Sequence, residues 1–186
     1  MNFNDEFHGK DGPLRTSYGT DYGASHQLWQ KTLNSIGIDT CASNFSGSNL
    51  GCWTALTGIT PDLRERCYSA VAYYKPNAER KNLKLLTNAL AREIVLEKEG
   101  NTWVAKGVKF VHGGKEHVVK TSGEVIICGG SVQSPQLVEL SGVGNPEILE
   151  AAGIKCRVAS PYVGEGLQEH MSKSPESFST YLASVK

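Results

Sequence analysis

The chain has 186 residues, enough for one ordinary domain with a hydrophobic core, and its 19 basic residues balance 19 acidic ones. This balance leaves no excess positive charge, so neither a nucleic-acid partner nor an anionic membrane is expected. No run approaches the roughly 20 consecutive apolar residues of a membrane-spanning helix. A hydrophobic content of 39% with 20 glycines is typical of a globular protein.

The cysteines and histidines lack the spacing of a metal site. The five cysteines contain no CxxC pair, and the five histidines never pair with carboxylates at metal-ligand spacing, so no metal is expected. An odd number of cysteines leaves at least one thiol unpaired in a monomer, which favours a reducing compartment. The polar N-terminus has no signal-peptide core, and a cytoplasmic location is therefore favoured.

The first part of the chain predicts two helices separated by a long loop. Apolar residues recur at helical spacing over residues 25–36, and Gly37 is typical of a helix end. Residues 39–61 are rich in Ser, Asn, Gly and Thr, and a loop of this length is uncommon unless it is functional or covers something. A second helix is predicted over residues 62–74, with Pro76 ending it.

The second part of the chain predicts strands and then helices. Residues 82–86 form a short strand, and three alternating segments joined by Gly-containing turns then predict an antiparallel meander. The three segments are residues 90–97, 102–112 and 116–121. Residues 125–128 are apolar at every position, as in a parallel strand buried on both faces. Helices follow at residues 134–140 and 146–152, and the Ser-rich residues from Ser172 onward are expected to be poorly ordered.

These elements together predict an α/β fold. Its core would be a parallel sheet with helices, in which residues 83–86 and 125–128 are neighbouring strands, and the three-stranded meander would be inserted between them in sequence. Such a sheet has too few strands to be a complete doubly wound domain.

Two glycines follow the apolar run at residues 125–128, directly before a predicted helix. Gly129 and Gly130 would bring backbone without side chains to the carboxyl edge of the sheet, where ligands of open α/β sheets bind. The start of the following helix offers free backbone N–H groups that suit a phosphate. The alternative is that the two glycines form a tight turn and nothing else.

Residues 130–144 resemble the second signature of the glucose–methanol–choline (GMC) oxidoreductases, a family of flavoproteins. The match is G-S-x-x-S-P-x-L-V-x-x-S-G-V-G, which is highly specific. Other segments resemble family motifs in the same order: DGPL at 11–14, RCYSAVAY at 66–73, NLKLLTNA at 82–89 and VGEGLQEH at 163–170. Within the last motif, Gly166 stands where the family usually has Asn, and Glu169 where it has Asp.

The resemblance implies FAD as the cofactor and a partial FAD-binding, Rossmann-like parallel sheet as the fold. It also implies that a small-molecule alcohol is oxidised at its CH–OH group while hydride passes to the flavin. Ala91 falls where the family contacts the adenine end of FAD through its backbone, although an ordinary strand position is nearly as good an interpretation. Gly129 and Gly130 are expected near the adenosine diphosphate part of FAD.

The resemblance implies no catalytic residue in this chain. The family's GxGxxG turn does not occur here, and no residue matches the catalytic pair near the family's C-terminus. His170 matches a family histidine that is not catalytic, and a lone loop histidine is more often structural. The chain is therefore identified as the central portion of such an enzyme, and on its own it is expected to be inactive.

Three segments and three functional hypotheses follow. Residues 1–80 would be a partial substrate or cap-side segment with a crossover helix, 81–160 part of the FAD-binding domain, and 161–186 the start of a truncated substrate-domain segment. The first hypothesis is an FAD-dependent GMC oxidoreductase represented by a partial chain. The second is a non-catalytic remnant or split-gene fragment that folds only with a complementing chain. A nicotinamide-binding domain is weaker, because it also needs the missing glycine turn.

Overall fold

The computed structural model describes residues 7–20, 22–41, 43, 45–47 and 50–169. The chain divides into two compact units, Met1–Leu85 and Leu86–Lys186, which we call the N-terminal unit and the C-terminal unit. None of the helices within the described residues combines the length and apolar character that a membrane crossing requires. His170 and the Ser-rich tail lie outside the described residues.

Helix α1 of the N-terminal unit spans Ala24–Ser35 and confirms the first predicted helix. It ends where expected, because Gly37 adopts φ +86° and its N–H donates to the Asn34 carbonyl at 3.1 Å. Leu28 and Trp29 on this helix are more than half exposed. The helical spacing of apolar residues thus predicted helix α1 correctly, although no residue of α1 is buried in the described structure.

The second predicted helix is wrong over most of its length. Only a π-helical turn at Ala70–Tyr74 and a 3₁₀ turn at Lys75–Asn77 are helical. Before them, Arg64 adopts φ +56°, a left-handed conformation that no right-handed helix contains. The Cys67 N–H donates across the chain to the Gly58 carbonyl at 2.7 Å. Long-range backbone pairing has therefore replaced the helix that the apolar spacing predicted.

An antiparallel meander forms the sheet of the C-terminal unit, as the sequence predicted. Its strands are β1 at Leu90–Glu99, β2 at Thr102–His112 and β3 at Lys115–Lys120, in the order β1-β2-β3. The β1–β2 register shifts between Ala91 and Glu93, so Arg92 is the extra residue of a bulge. The bulge re-aims the first residues of β1 relative to the rest of the strand.

Gly107 in β2 fits where no other residue does. It pairs with Val95 on one side and Lys120 on the other, and it is buried. A Cβ atom at Gly107 would overlap the Val119 carbonyl oxygen of β3. The close approach of β2 and β3 at this point therefore depends on the absence of a side chain.

Two helices and a short parallel sheet complete the C-terminal unit. Helix α2 spans Gly130–Leu140, and α3 spans Pro146–Ala151 with the Asn145 side chain accepting a hydrogen bond from the Glu147 N–H at 3.0 Å. Strands β4 at Val143–Gly144 and β5 at Val158–Ala159 pair in parallel. Leu149 of α3, only 1% exposed, anchors this part of the unit.

The mixed α/β class is confirmed, but the two predicted parallel strands are not. Residues 83–86 and 125–128 belong to no strand of the described structure, and the parallel pair is β4–β5 instead. Ile126, predicted to be buried, is 80% exposed. An all-apolar run signals a strand that neighbouring strands cover on both sides, and no described segment pairs with this one.

A charged cluster joins β1 and β2 to the chain beyond α3. Glu93 accepts hydrogen bonds from Lys109 Nζ at 2.8 Å and from Arg157 Nη1 at 3.0 Å. The bond from Lys109 is the main reason that the pKa of the Glu93 carboxyl lies below its usual value of 4.5, and Arg157 adds to it while burial acts in the opposite direction. The ionised form of Glu93 is therefore favoured in the folded state.

We expect Glu93→Gln to destabilise the chain by about 1 kcal/mol at neutral pH, because the ion pairs are partly exposed. Because the pKa of Glu93 is lower in the folded state than its usual value of 4.5, ionised Glu93 stabilises the fold at a pH above 4.5. This stabilisation is lost as the pH falls from 4.5 through the folded-state pKa. The difference between parent and variant should therefore shrink in acid. Urea unfolding over a pH series measures it.

Glu150→Gln is the matched control, since Glu150 is exposed on α3. Its unfolding free energy should follow that of the parent at every pH. A Glu93→Gln difference that stayed constant into acid would contradict the ion-pair account.

Candidate functional site

A cavity of about 370 Å³ lies between the start of β1 and one face of α2. Residues of that helix face line it, together with Val108 of β2 and the segment 125–129. The helix residues are Gln133, Gln136, Leu137 and Leu140. Its size falls in the range of about 300–1,000 Å³ typical of small-molecule sites, and its apolar walls with a few polar groups match their chemistry.

The structure brings two of the three predicted cofactor residues to this cavity. Ala91 lines it from the start of β1, and Gly129 lines it from the start of α2. Gly130 is the next residue in the chain and the first of α2, but it does not line the cavity. Ala91 and Gly129 are 38 positions apart in sequence, so the meander is what returns the chain to the same place.

The two glycines are required for different reasons. At Gly129 a Cβ atom would lie 3.3 Å from the Ser134 nitrogen and 3.4 Å from the Gln133 carbonyl carbon, tighter than ordinary contact. Gly130 has φ +83°, a conformation that side chains rarely adopt, yet a Cβ there would meet no atom within 4 Å. Gly129 thus allows close packing on α2, whereas Gly130 supplies the turn and leaves open space beside it.

The start of α2 also leaves backbone donors available. No side chain caps the helix at Gly129, so none there accepts hydrogen bonds from the first N–H groups of α2. Such groups, together with the positive end of the helix dipole, attract an anion. An apolar cavity beside an uncapped helix start fits a flat heterocycle that carries a phosphate, which is the chemistry of the adenine end of FAD.

Ser141, at the C-terminal end of α2, holds the two walls of the cavity together. Its hydroxyl oxygen accepts a hydrogen bond from the Ile94 N–H of β1 at 2.8 Å and donates to the Leu137 carbonyl at 2.6 Å. Sequence reasoning placed Ser141 in the family signature but gave it no role. A serine at a helix end carries no signal for a partner 47 residues away.

The described histidines of the C-terminal unit, His112 and His117, do not line the cavity. His112 Nδ1 lies 3.3 Å from the Asn88 carbonyl oxygen, and the His117 ring stacks on Phe110 with centroids 5.4 Å apart. In the N-terminal unit, His26 Nε2 lies 3.0 Å from the Thr54 hydroxyl. Within the described residues no three metal-ligating side chains cluster. We therefore assign no catalytic residue to these histidines.

Gly166 replaces the family's usual Asn without a conflict in backbone conformation. It adopts φ +71°, in the left-handed region that Gly enters freely and Asn enters more readily than most residues. The substitution therefore preserves the turn and removes only the side-chain amide.

The family model for GMC oxidoreductase matches residues 5–172. The dehydrogenase mpl7 of Monascus purpureus is 40% identical over 169 residues, which are 88% of this chain and 27% of that protein. Human mitochondrial choline dehydrogenase is 34% identical over 167 residues, covering 89% of this chain and 27% of its own length.

A solved structure shows the same fold. The FAD-dependent oxidoreductase from Chaetomium thermophilum superposes with a TM-score of 0.79 over 87% of this chain and 27% of that one, at 22% identity. The chain spans 27% of the length of the curated relatives above. FAD, the cofactor implied by the sequence motifs, is confirmed as the cofactor of the family. The chain belongs to the GMC oxidoreductase family.

Proposed function

We propose that this chain forms part of the FAD site of an oxidoreductase that oxidises the CH–OH group of a small alcohol. Within that site, Ala91, Gly129 and Gly130 contact the adenosine diphosphate portion of FAD. The observation that carries the proposal is the single cavity lined by both Ala91 and Gly129. The family membership and the choline dehydrogenase among the relatives support the alcohol chemistry.

The walls of the cavity would bind adenine by burial and by polar contacts at its edge. Val108, Leu137 and Leu140 offer apolar surface to the faces of the ring, while the Gln133 and Gln136 amides offer donors and acceptors. Because β1 is an edge strand, it presents along its outer edge backbone groups that β2 does not use, and the Ala91 backbone would contact adenine from this strand. A backbone contact of this kind does not depend on the side chain at position 91.

The open space beside Gly130 would take the phosphates. The uncapped N–H groups of α2 would face the phosphate charge, and no Cβ at Gly130 would hold the ligand away. FAD itself supplies the hydride acceptor for alcohol oxidation. The part played by this chain is to hold the nucleotide end and exclude water from it.

The direct test is a binding titration of the 186-residue chain with FAD, ADP and FMN, followed by flavin fluorescence and by competition. ADP contains the adenine and phosphates that the site would recognise, whereas FMN lacks adenine. We expect FAD to bind, ADP to compete with it and FMN to bind at least tenfold more weakly. FMN binding as well as FAD, or ADP failing to compete, would contradict the placement of adenine in this cavity.

Substitutions at Gly130 distinguish its role in the turn from its proposed role in contacting FAD. Gly130→Asn tolerates positive φ and adds a side chain, whereas Gly130→Leu adds a side chain and strains the backbone by about 1–2 kcal/mol. If FAD approaches the backbone there, both variants should lose roughly tenfold or more in FAD affinity with little change in helix content by circular dichroism. Gly153→Asn is the control, since Gly153 also has positive φ and open space but lies after α3. Normal FAD affinity in Gly130→Asn would show that the glycine serves the turn alone.

We further propose that a complementing segment covers the apolar run at residues 125–128. Ile126 is 80% exposed, and Val132 on the first turn of α2 is 67% exposed. Apolar surface of this kind in a soluble protein marks a contact face. This observation also favours the second candidate, a non-catalytic remnant that folds with a partner.

The isolated chain should therefore show no sustained alcohol oxidation. No catalytic base is assigned in it, and loss of a general base alone typically lowers a rate by ~10²–10⁴. The assay supplies FAD with aryl, aliphatic and sugar alcohols and follows dye reduction and peroxide. Sustained turnover by the pure chain would contradict the proposal and require a base among its own histidines.

A further inference from the structure

Ser141 is a buried, doubly hydrogen-bonded side chain of the C-terminal unit that the proposed FAD contacts do not use. It is 1% exposed, and its hydroxyl connects the Ile94 N–H of β1 to the Leu137 carbonyl of α2. Its own carbonyl accepts a hydrogen bond from Arg157 Nη1 at 3.2 Å. Ser141 is therefore held from both sides at the point where α2 ends.

The hydroxyl stands between the two walls of the cavity. Ile94 lies three positions after Ala91 on β1, and Leu137 and Leu140 are the cavity-lining residues nearest to Ser141 on α2. The bulge at Arg92 lies between Ala91 and Ile94, so the bond from the Ile94 N–H to Ser141 holds β1 two positions after the bulge. The distance between the β1 edge and the α2 face is thus set at Ser141.

We propose that Ser141 is a positioning residue for FAD, whose hydroxyl bond to the Ile94 amide sets the spacing between Ala91 and the cavity face of α2. The proposal rests on the proposed function, because it assigns the cavity to the adenine end of FAD. Ser141 does not line the cavity, so it acts only through β1 and α2.

The chemistry of the contact requires an oxygen that both accepts and donates. A hydroxyl has one donor and two acceptor lone pairs, which satisfies the Ile94 N–H and the Leu137 carbonyl together. Alanine removes both bonds and leaves the Ile94 N–H without an acceptor. The Ser141 side chain then no longer fixes the spacing between β1 and α2. Arg157 supplies a second link, since it joins the Ser141 carbonyl to Glu93, the neighbour of Ile94.

The test compares FAD affinity with stability in Ser141→Ala and in a matched control, Leu149→Ala. Leu149 is equally buried in the same unit but has no bond to β1. Both variants should unfold at lower urea concentration. Under conditions where each is fully folded, Ser141→Ala should bind FAD roughly tenfold more weakly, while Leu149→Ala binds it like the parent. Amide hydrogen exchange without FAD should be faster at Ile94 in Ser141→Ala.

Each outcome decides the proposal. A Ser141→Ala variant with parental FAD affinity overturns the positioning role but leaves the proposed function intact, since the parent still binds FAD. A parent that does not bind FAD overturns both. If Ser141→Ala does not fold, Ser141→Cys decides instead, because a thiol is a weaker donor and acceptor than a hydroxyl and so weakens both side-chain bonds of Ser141: a several-fold weaker FAD affinity supports the proposal, and an unchanged affinity overturns it.

Discussion

The outer edge of β1 is the constraint on which the C-terminal unit depends. An edge strand leaves alternate backbone groups without a strand partner, and a buried N–H without an acceptor costs about 1–3 kcal/mol. At Ile94 the acceptor is the Ser141 hydroxyl, and beside it Glu93 binds Arg157, which also donates to Ser141. Two adjacent strand residues and one helix end thereby form a closed ring of hydrogen bonds. The position of α2, and so the shape of the cavity, follows from this ring.

The local elements were largely predictable because their signals are local. The meander required only alternation and Gly-containing turns: β2 has the predicted bounds, and β1 and β3 differ from the prediction by one or two residues at their ends. Gly37 ends α1 because it adopts a positive φ, and Asn145 begins α3 because its side chain accepts a hydrogen bond from the Glu147 N–H. Family motifs added the placement of Ala91 and Gly129, which the structure brings to one cavity.

What could not be predicted depends on partners distant in sequence. The apolar spacing over residues 62–74 resembles a helix, but pairing of Cys67 with Gly58 and the left-handed Arg64 override it. The all-apolar run at 125–128 implies burial on both faces, but no described strand pairs with it, and only Val125 and Ile127 are half-buried. The bond between Ser141 and Ile94 joins residues 47 positions apart, and no pattern within either segment indicates the other. Sequence patterns thus identify which residues of a segment are apolar, whereas which segment packs against them is decided by the whole fold.

The missing side chain at Gly107 also restricts how the meander can pair. A slip of β2 by one residue against β3 would bring Lys106 or Val108 to the point where even a Cβ overlaps the Val119 carbonyl oxygen. The same slip would turn every side chain of β2 to the opposite face of the sheet. Steric exclusion and face reversal therefore oppose the same error, so the hairpin of β2 and β3 is protected against misregistered pairing while the chain folds.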